Sequence, residues 1–154
     1  MNQADYFYYS GHGHHSTGNL QGDFSPESVQ QYWNQDLSAV ILAGCSVLDI
    51  NDYNKNFSGD EHNFSPGKRW ERTGPQYLLG YNGSAPGDQG GAPARIVTRW
   101  ISMRNVYGDA GAWMEANAKN RAWNACAIVK GQKYLYFQRK WMKRKVIDIP
   151  KGEW

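Results

Sequence analysis

One uninterrupted apolar run limits the folds that are open to this chain. Residues 37–45 read LSAVILAGC, a length that favours a strand buried on both faces, as in a parallel sheet covered by helices. An aromatic-rich segment that ends at Ser10 precedes it and also predicts a strand. Between the two, Ser25 is suited to cap a helix that begins at Pro26 and has one apolar face. Strand, helix and buried strand together predict a parallel βαβ unit.

The rest of the chain continues the alternation of strands and helices. A third strand is predicted at Tyr77–Tyr81, two helices at about 93–105 and 109–124, and closing strands in ACAIVKG and KYLYFQRKW. The polar segment 51–74 is predicted to be a long loop. A chain of 154 residues is expected to form one domain. We therefore predict an α/β fold with a mostly parallel sheet flanked by helices.

Charge and cysteine content narrow the class of protein. Seven of the 17 Lys and Arg residues lie in the segment 130–145, which contains no acidic residue, although the formal net charge is only +3. We favour a solvated strand edge for this segment over a nucleic-acid surface built on Arg139 and Trp141. The two cysteines, Cys45 and Cys126, make no disulfide framework, and neither a signal peptide nor a membrane-spanning run is evident. We therefore expect a cytoplasmic protein with no membrane partner.

His12 and Cys45 are the candidate catalytic residues. The first strand leads into His12 and the second into Cys45, so parallel pairing should bring both to the carboxyl edge of the sheet, where open α/β sheets bind ligands. A thiolate is an effective nucleophile, and a neighbouring imidazole can accept its proton. Gly13 and Gly44 leave room for a close approach of the backbone. The alternatives are a buried structural cysteine and a histidine in a polar turn.

Metal binding is the competing interpretation of the histidine-rich segment HGHHST. His12, His14 and His15 are clustered, and His62 or an aspartate could complete a zinc site. The segment has neither the helical HExxH pattern nor an acidic residue of its own, so we predict no metal site. The later segment DINDYNKNFSGDE is a poor calcium loop, because Phe57 stands where such a loop requires glycine.

The residues around His12 and Cys45 resemble those of the caspase-like cysteine peptidases, the group that includes caspases, legumain, clostripain and gingipains. Members have one strand that ends in His-Gly and an apolar strand that ends in Ala-Cys or Gly-Cys; here these are YFYYSGHG and AVILAGC. A bacterial family of that fold is more similar still, with segments that here read VILAGCSVL, YLLGYNGSAP, DAGAWMEAN and NRAWNACAIV. The resemblance covers roughly residues 5–130 and implies a three-layer caspase-like fold for a single domain, 1–154.

The resemblance also implies a function, that of a cysteine endopeptidase acting on protein or peptide substrates without a cofactor. Cys45 would be the nucleophile, His12 the general base and acid, and the backbone N–H groups of Gly13 and Cys45 the oxyanion hole. The exit of the third strand would bind the substrate main chain, and two nearby acids are nominated for the choice of cleavage site. The exit residues are Tyr81, Asn82, Gly83 and Ser84, and the acids are Asp49 and Asp88.

Three departures from the family pattern keep other functions open. The chain opens almost directly on the first strand, so N-terminal elements of the fold are expected to be missing or shortened, or to come from an upstream chain or a second copy. The spacing between His12 and Cys45 is short for a caspase, and Ala43 stands where relatives specific for basic residues have aspartate. The alternative to a peptidase is a catalytically inactive binding module of the same fold, and a nucleic-acid-binding protein is the third hypothesis.

Overall fold

The chain forms a six-stranded sheet with helices on both faces. The computed structural model describes residues 5–14, 17–22, 24–33, 37–49, 66–130, 134–137 and 140–143. The strands are β1 (Tyr6–Ser10), β2 (Ala39–Ala43), β3 (Tyr77–Tyr81), β4 (Ala125–Val129), β5 (Tyr134–Phe137) and β6 (Lys140–Lys143). The helices are α1 (Pro26–Trp33), α2 (Pro66–Glu71) and α3 (Ala92–Lys119), the last preceded by a short 3-10 turn at Gln89–Gly91.

The strands lie in the sheet in chain order, from β1 to β6. β1, β2 and β3 are parallel, β4 is antiparallel to β3, and β5 and β6 extend the sheet as an antiparallel hairpin. Ser10 pairs with Ala43, so β1 and β2 end level with each other. The first four strands form a mostly parallel sheet, and the predicted α/β class is confirmed.

The first face of the sheet packs against α1 and α2. Val29 and Trp33 of α1 and Trp70 of α2 share one apolar cluster with Val40 and Leu42 of β2, and none of these side chains is more than 6% exposed. The rings of Trp33 and Trp70 stack with their centroids 5.7 Å apart. Burial of large aromatic rings is a strong source of stability, and here it joins both helices to the sheet and to each other.

The helix α2 corrects the sequence prediction. The pattern predicts a loop over 51–74, but residues 66–71 are helical. Pro66 occupies the first helical position, where a missing N–H has no cost, and Trp70 becomes fully buried. Six residues are too few to show helical periodicity, although the Ser-Pro pair at 65–66 repeats the pair that predicts α1. The rest of the predicted loop, up to residue 65, lies outside the described residues.

The second face of the sheet is covered by α3, which is bent into a helical hairpin. Gly108 interrupts the helix with φ 71° and ψ 168°. Arg95 near its start donates a hydrogen bond to Asn120 just beyond its end, and Trp100 donates to the Asp109 carbonyl. The two halves therefore run antiparallel, and the break at Gly108 lies between the two predicted helices. Neither α3 nor any other helix in the described part of the chain is long and apolar enough to cross a lipid bilayer.

A buried polar pair fixes the position of α3 on β3. The Tyr81 hydroxyl donates to Oδ1 of Asn117 at 2.7 Å, and the Asn117 amide donates to the Trp113 carbonyl at 2.9 Å. Burial raises the pKa of Tyr81 well above its ordinary value of 10.0, although the hydrogen bond to Asn117 acts in the opposite direction. The phenol therefore stays neutral and keeps its proton for this contact.

Candidate functional site

His12 and Cys45 follow neighbouring strand ends by the same number of residues. β1 ends at Ser10 and β2 at Ala43, and these two residues are partners in the sheet. The Gly11 N–H donates to the Ala43 carbonyl at 3.4 Å, which continues the pairing beyond the strands. The structure thus brings the two predicted catalytic residues to one edge of the sheet, and both are exposed.

Two glycines let the segments that carry these residues touch. A methyl group built on Gly13 would lie 2.2 Å from Cγ2 of Val47 and 2.7 Å from the carbonyl oxygen of Cys45. One built on Gly44 would lie 3.2 Å from the backbone nitrogen of Gly13. The two contacts at Gly13 are shorter than real Cβ atoms make, and the contact at Gly44 is tighter than most of them. The structure therefore places Gly13 and Cys45, the residues predicted to form the oxyanion hole, directly beside each other.

Cys45 opens a sharp turn at residues 45–48. Ser46 has φ 54°, in the left-handed region that residues other than glycine rarely adopt. Its N–H donates to the Gly83 carbonyl at 2.7 Å, and the Ala85 N–H donates to Sγ of Cys45 at 3.4 Å. The exit of β3 therefore lies alongside Cys45 and orients its thiol.

The segment after β1 is a compact loop, termed here the His12 loop (residues 12–14 and 17–22). The Tyr9 hydroxyl donates to the His12 carbonyl at 2.8 Å and accepts a hydrogen bond from the Gln21 N–H at 3.1 Å. The same Gln21 N–H also donates to the His12 carbonyl, at 3.2 Å. The backbone of His12 is thus held by two donors, one of them a side chain of β1.

The helix α2 fastens the His12 loop from the other side. Nε1 of Trp70 donates to the Gly18 carbonyl at 2.8 Å, and the Arg69 guanidinium donates to the Thr17 carbonyl. Gly18 has φ 72°, and a methyl group built on it would lie 2.7 Å from Cβ of Pro66. Loop and helix are therefore matched in shape as well as in hydrogen bonding.

Arg69 also forms an ion pair with Glu27 of α1. Nε and Nη2 donate to the two carboxylate oxygens at 2.8 Å and 2.6 Å, a bidentate arrangement. Burial acts to raise the pKa of Glu27, but the hydrogen bonds from Arg69, the backbone and Ser25, together with the charge of Arg69, outweigh it and hold the pKa below the ordinary value of 4.5. One arginine thus links α1, α2 and the His12 loop.

Only part of the predicted substrate-binding segment at the exit of β3 reaches the surface. Tyr81 is buried, with its hydroxyl in the core and its carbonyl accepting a hydrogen bond from the Leu48 N–H at 3.1 Å. Its side chain is therefore not open to a substrate. The Asn124 amide donates to the Ser84 carbonyl at 3.3 Å and supports the segment from beneath. The residues of the segment that reach the surface are Asn82, Gly83 and Ser84.

The two nominated acids lie in different segments. The Asp49 N–H donates to the Ser46 carbonyl at 3.2 Å, and the Asp49 carbonyl accepts from the Gly67 N–H at 3.2 Å. Asp49 therefore connects the turn of Cys45 to the start of α2. Asp88 is exposed, and its carbonyl accepts from the Gly91 N–H in the 3-10 turn before α3. Only Asp49 is tied by these backbone bonds to the turn that carries Cys45.

The metal-site and nucleic-acid interpretations of the sequence concern residues that lie largely outside the described part of the chain. Within the described ranges, no group of three or more His, Cys, Asp or Glu side chains is placed to hold a metal ion. His14 lies in the His12 loop, but His15 and His62 lie outside the described residues, as does residue 57 of the calcium-like segment. The side chains of the basic segment beyond Lys130 also lie outside them, so the nucleic-acid surface stays a prediction.

An open pocket of about 380 Å³ lies against the His12 loop. Residues from both halves of the loop line it, among them one apolar residue and several neutral polar ones. Cys45 is not among the described residues that line the pocket, which therefore adjoins the thiol rather than containing it. The lining residues other than glycine are His12, His14, Thr17, Asn19, Leu20 and Gln21 in the described part of the chain.

The residues that hold the segments of His12 and Cys45 in place are not among those that the sequence predicts. Arg69 and Trp70 fall in a segment predicted to be a loop, and a tryptophan isolated in a polar stretch is the one signal of its burial. Asn124 belongs to the quoted segment NRAWNACAIV but receives no role there. Ala85 carries no signal, because its contribution is a backbone N–H whose direction depends on how the chain leaves β3.

The arrangement has the groups that nucleophilic catalysis by cysteine requires. An accessible thiol, an imidazole on the adjacent strand end and a close-fitting backbone with N–H donors lie at one edge of the sheet. Comparison of the chain with protein-family models, with curated proteins and with solved structures gave no match in any of the three. The case for a function therefore rests on the site itself.

Proposed function

We propose that the protein is a cysteine endopeptidase with a caspase-like fold. The observation that carries the proposal is the placement of exposed His12 and Cys45 just beyond the register-paired ends of two parallel strands, with the Gly13 backbone against Cys45. The family resemblance of the segments around both residues supports the same chemistry. A largely parallel sheet with helices on both faces is compatible with that fold.

Acylation uses the two side chains and two backbone donors. His12 accepts the proton of the Cys45 thiol, and the thiolate sulfur attacks the carbonyl carbon of a peptide bond. The carbonyl oxygen takes up the negative charge and accepts hydrogen bonds from the N–H groups of Gly13 and Cys45. The carbon–nitrogen bond then breaks as His12 gives its proton to the leaving nitrogen. The amine product departs, and a thioester remains on Cys45.

Deacylation runs the same groups in the opposite order. His12 accepts a proton from water, the water oxygen attacks the thioester carbonyl carbon, and the carbon–sulfur bond breaks as His12 returns the proton to the sulfur. The acyl half leaves as a carboxylic acid, and the Cys45 thiol is restored. None of these steps calls for a metal or a redox cofactor. The sulfur has to stay reduced, so we place the activity in a reducing compartment such as the cytoplasm.

The substrate is proposed to lie across the carboxyl edge of the sheet. Its acyl half would follow the surface residues at the exit of β3, where Ser84 and its neighbours can pair with an extended main chain. Asp49, beside the turn of Cys45, is the better placed of the two acids to influence which residue precedes the cleaved bond. Asp88 would act further along the same exit.

The pH dependence of iodoacetamide labelling tests the catalytic pair before any substrate is known. Wild type and His12→Ala are labelled across a range of pH, and each cysteine is read by mass spectrometry. We expect fast labelling of Cys45 near neutral pH and a fall of about tenfold or more in His12→Ala, because the imidazole stabilises the thiolate. Cys126, buried in β4, is the internal control and should label slowly in both. Equally slow labelling of Cys45 in both proteins would contradict the proposal and favour an inactive binding module.

Hydrolysis of a peptide library supplies the second test. Cys45→Ala is expected to abolish cleavage, because it removes the nucleophile. Cys126→Ala is the matched control, since that thiol is buried in the core and lies on a different strand. Cleavage that persists in Cys45→Ala would show that the activity comes from elsewhere.

A further inference from the structure

The pocket against the His12 loop lies on the opposite side of Cys45 from the exit of β3. In the sheet, β2 lies between β1 and β3. Cys45 follows β2, so it lies between the His12 loop, which follows β1, and the segment that follows β3. Ala85 approaches Cys45 from the β3 side and Gly13 approaches it from the β1 side. A peptide that crosses Cys45 therefore has one half on each side.

The chemistry decides which half of the peptide meets the pocket. His12 has to deliver a proton to the leaving nitrogen, so this nitrogen comes within roughly 3 Å of the imidazole. The residue that begins with this nitrogen is the first one after the scissile bond. His12 also lines the pocket. The side chain of the first residue after the scissile bond is therefore the part of the substrate nearest to the pocket.

The lining of the pocket indicates what kind of side chain fits. Its polar members include Thr17, Asn19 and Gln21, and none of the lining residues in the described part of the chain is Asp, Glu, Lys or Arg. A charged side chain would give up water there without meeting an opposite charge among these described lining residues. A cationic one would also oppose the positive charge that His12 takes up during acylation. A neutral side chain avoids both penalties.

Asn19 gives the pocket a reason to prefer a hydrogen-bond donor. Its backbone N–H donates to Oγ1 of Thr17 at 3.2 Å, and its carbonyl accepts from the His14 N–H at 2.9 Å. Its side-chain Oδ1 is buried, and no donor in the described residues reaches it. A buried acceptor without a partner costs free energy, and the last torsion of an asparagine side chain is soft. A donor in the pocket would let the carboxamide turn toward it and recover the missing hydrogen bond.

We propose that this pocket is a subsite for the first residue after the scissile bond and that it prefers a side chain ending in a primary amide, glutamine in particular. The assignment to that residue rests on the proposed peptidase function, because His12 is taken as the proton donor to the leaving nitrogen. A pocket of about 380 Å³ has room for a side chain of this length. A primary amide supplies a donor for Asn19 and an acceptor for the hydroxyl of Thr17.

Binding of dipeptide amides tests the pocket without requiring turnover. Gln-Gly-NH2, Met-Gly-NH2, Glu-Gly-NH2 and Lys-Gly-NH2 have a free amino group and so mimic the product that leaves from His12. Each is titrated into Cys45→Ala protein while the imidazole C–H signals of His12 and His14 are followed by NMR. We expect Gln-Gly-NH2 to bind about fivefold more tightly than Met-Gly-NH2, the worth of one neutral hydrogen bond, and Lys-Gly-NH2 to bind most weakly. Equal binding of all four, or no shift with any, would overturn the proposal.

Two substitutions of Asn19, each combined with Cys45→Ala, show whether this residue sets the preference. Asn19→Ala should abolish the advantage of Gln-Gly-NH2 over Met-Gly-NH2. Asn19→Asp adds a negative charge at constant shape and should make Lys-Gly-NH2 the tightest of the four, a gain that a misfolded protein cannot produce. Ser102→Ala, on the exposed surface of α3, is the matched control and should keep the original order. An unchanged order in Asn19→Asp would count against the subsite.

Cleavage of peptides that differ only in the residue after the scissile bond separates this subsite from the proposed function. Faster cleavage before glutamine than before lysine supports both. Cleavage at equal rates, with no order among the dipeptides, removes the subsite and leaves the peptidase. If the dipeptides bind in the expected order but no peptide is cleaved, the peptidase hypothesis is rejected. The pocket is then a binding site for amide side chains.

Discussion

The two segments that carry His12 and Cys45 are held in place by different means. The turn of Cys45 is held by main-chain hydrogen bonds, from the Ser46 N–H to the Gly83 carbonyl and from the Leu48 N–H to the Tyr81 carbonyl. The His12 loop has main-chain hydrogen bonds within itself, but the ties described above between this loop and β1 and α2 are made by side chains. These side chains are Tyr9, Arg69 and Trp70.

This difference predicts which substitutions will disturb each segment. Main-chain hydrogen bonds do not depend on which side chain a residue carries, so the turn of Cys45 should be sensitive mainly to steric crowding at the adjacent glycines, Gly44 and Gly13. The His12 loop should respond to single side-chain changes as far away as α2. A readout at the imidazole of His12 and a separate readout at the thiol of Cys45 can therefore tell the two regions apart.

The largest effect is expected where the two segments touch. Gly13→Ala would place Cβ 2.2 Å from Val47 and 2.7 Å from the Cys45 carbonyl. We expect a loss of about 3 kcal/mol in the free energy of unfolding, because a packed backbone contact has to open. Gly87→Ala is the matched control, since a methyl group there meets nothing within 4 Å. Urea unfolding measures both, and equal stability of the two variants would mean that the segments do not touch.

The next largest effect is expected from loss of the hydrogen bond between Trp70 and the His12 loop, and it should be confined to that loop. Trp70→Phe removes the donor to the buried Gly18 carbonyl while keeping an aromatic ring, and we expect a cost of about 2 kcal/mol. The NMR signals of the His12 imidazole should move, whereas the backbone signals of the Cys45 turn should change little. Trp100→Phe also loses an indole donor, but on α3, and serves as the control. A similar response of His12 to both variants would remove the special role of α2.

A smaller and pH-dependent effect is expected at the ion pair between α1 and α2. The folded state lowers the pKa of Glu27, so the pair stabilises the protein above the ordinary value of 4.5 and loses this contribution as the pH falls through the lowered pKa. Glu27→Gln should therefore cost at most about 1 kcal/mol at pH 7, since the carboxylate is partly open to solvent. The difference from wild type should vanish in acid.

Unfolding at neutral and acidic pH checks this prediction. Glu115→Gln is the control, because its partner Lys119 lies 3.8 Å away in an exposed pair on α3. That variant should differ little from wild type at either pH. A Glu27→Gln penalty that stays the same in acid would show that the hydrogen-bonded shape of the side chain matters, and its charge does not.

The smallest effect is expected at Tyr9. Tyr9→Phe removes one donor to the His12 carbonyl and one acceptor for the Gln21 N–H, in a partly exposed place, and should cost about 0.5 kcal/mol. Hydrogen exchange at the Gln21 amide should quicken by a small factor, because its second bond, to His12, remains. Tyr8→Phe, one residue earlier and pointing to the other face, should leave that amide unchanged.

The sequence predicts those parts of the molecule in which local pattern and packing agree. The apolar run of β2, the bounds of β3 and the Ser25-Pro26 start of α1 are all present as predicted. The meeting of His12 and Cys45 at one edge follows from parallel pairing, which the βαβ pattern dictates. A short helix escapes this kind of prediction, since its residues complete less than two turns.

Contacts between distant segments are what the sequence does not contain. Trp70 and Gly18 are 52 positions apart, and no local sequence pattern around either residue indicates that the two are in contact. The contact of Ala85 with the thiol depends on a backbone direction that a sequence does not encode locally. The supports of the site are therefore harder to predict than His12 and Cys45, whose side chains themselves indicate the chemistry that we propose.

The bend of α3 at Gly108 offers a practical handle for protein engineering. Tyr6, the first residue of β1, lies against Trp100 and Arg104, which places the bend at the edge where the parallel strands begin. The part of α3 before the bend, residues 92–107, spans about 24 Å, so the bend is remote from Cys45. Val106 beside it is 78% exposed. A purification tag or a fluorescent reporter inserted at this tip would leave the edge that carries His12 and Cys45 unaltered.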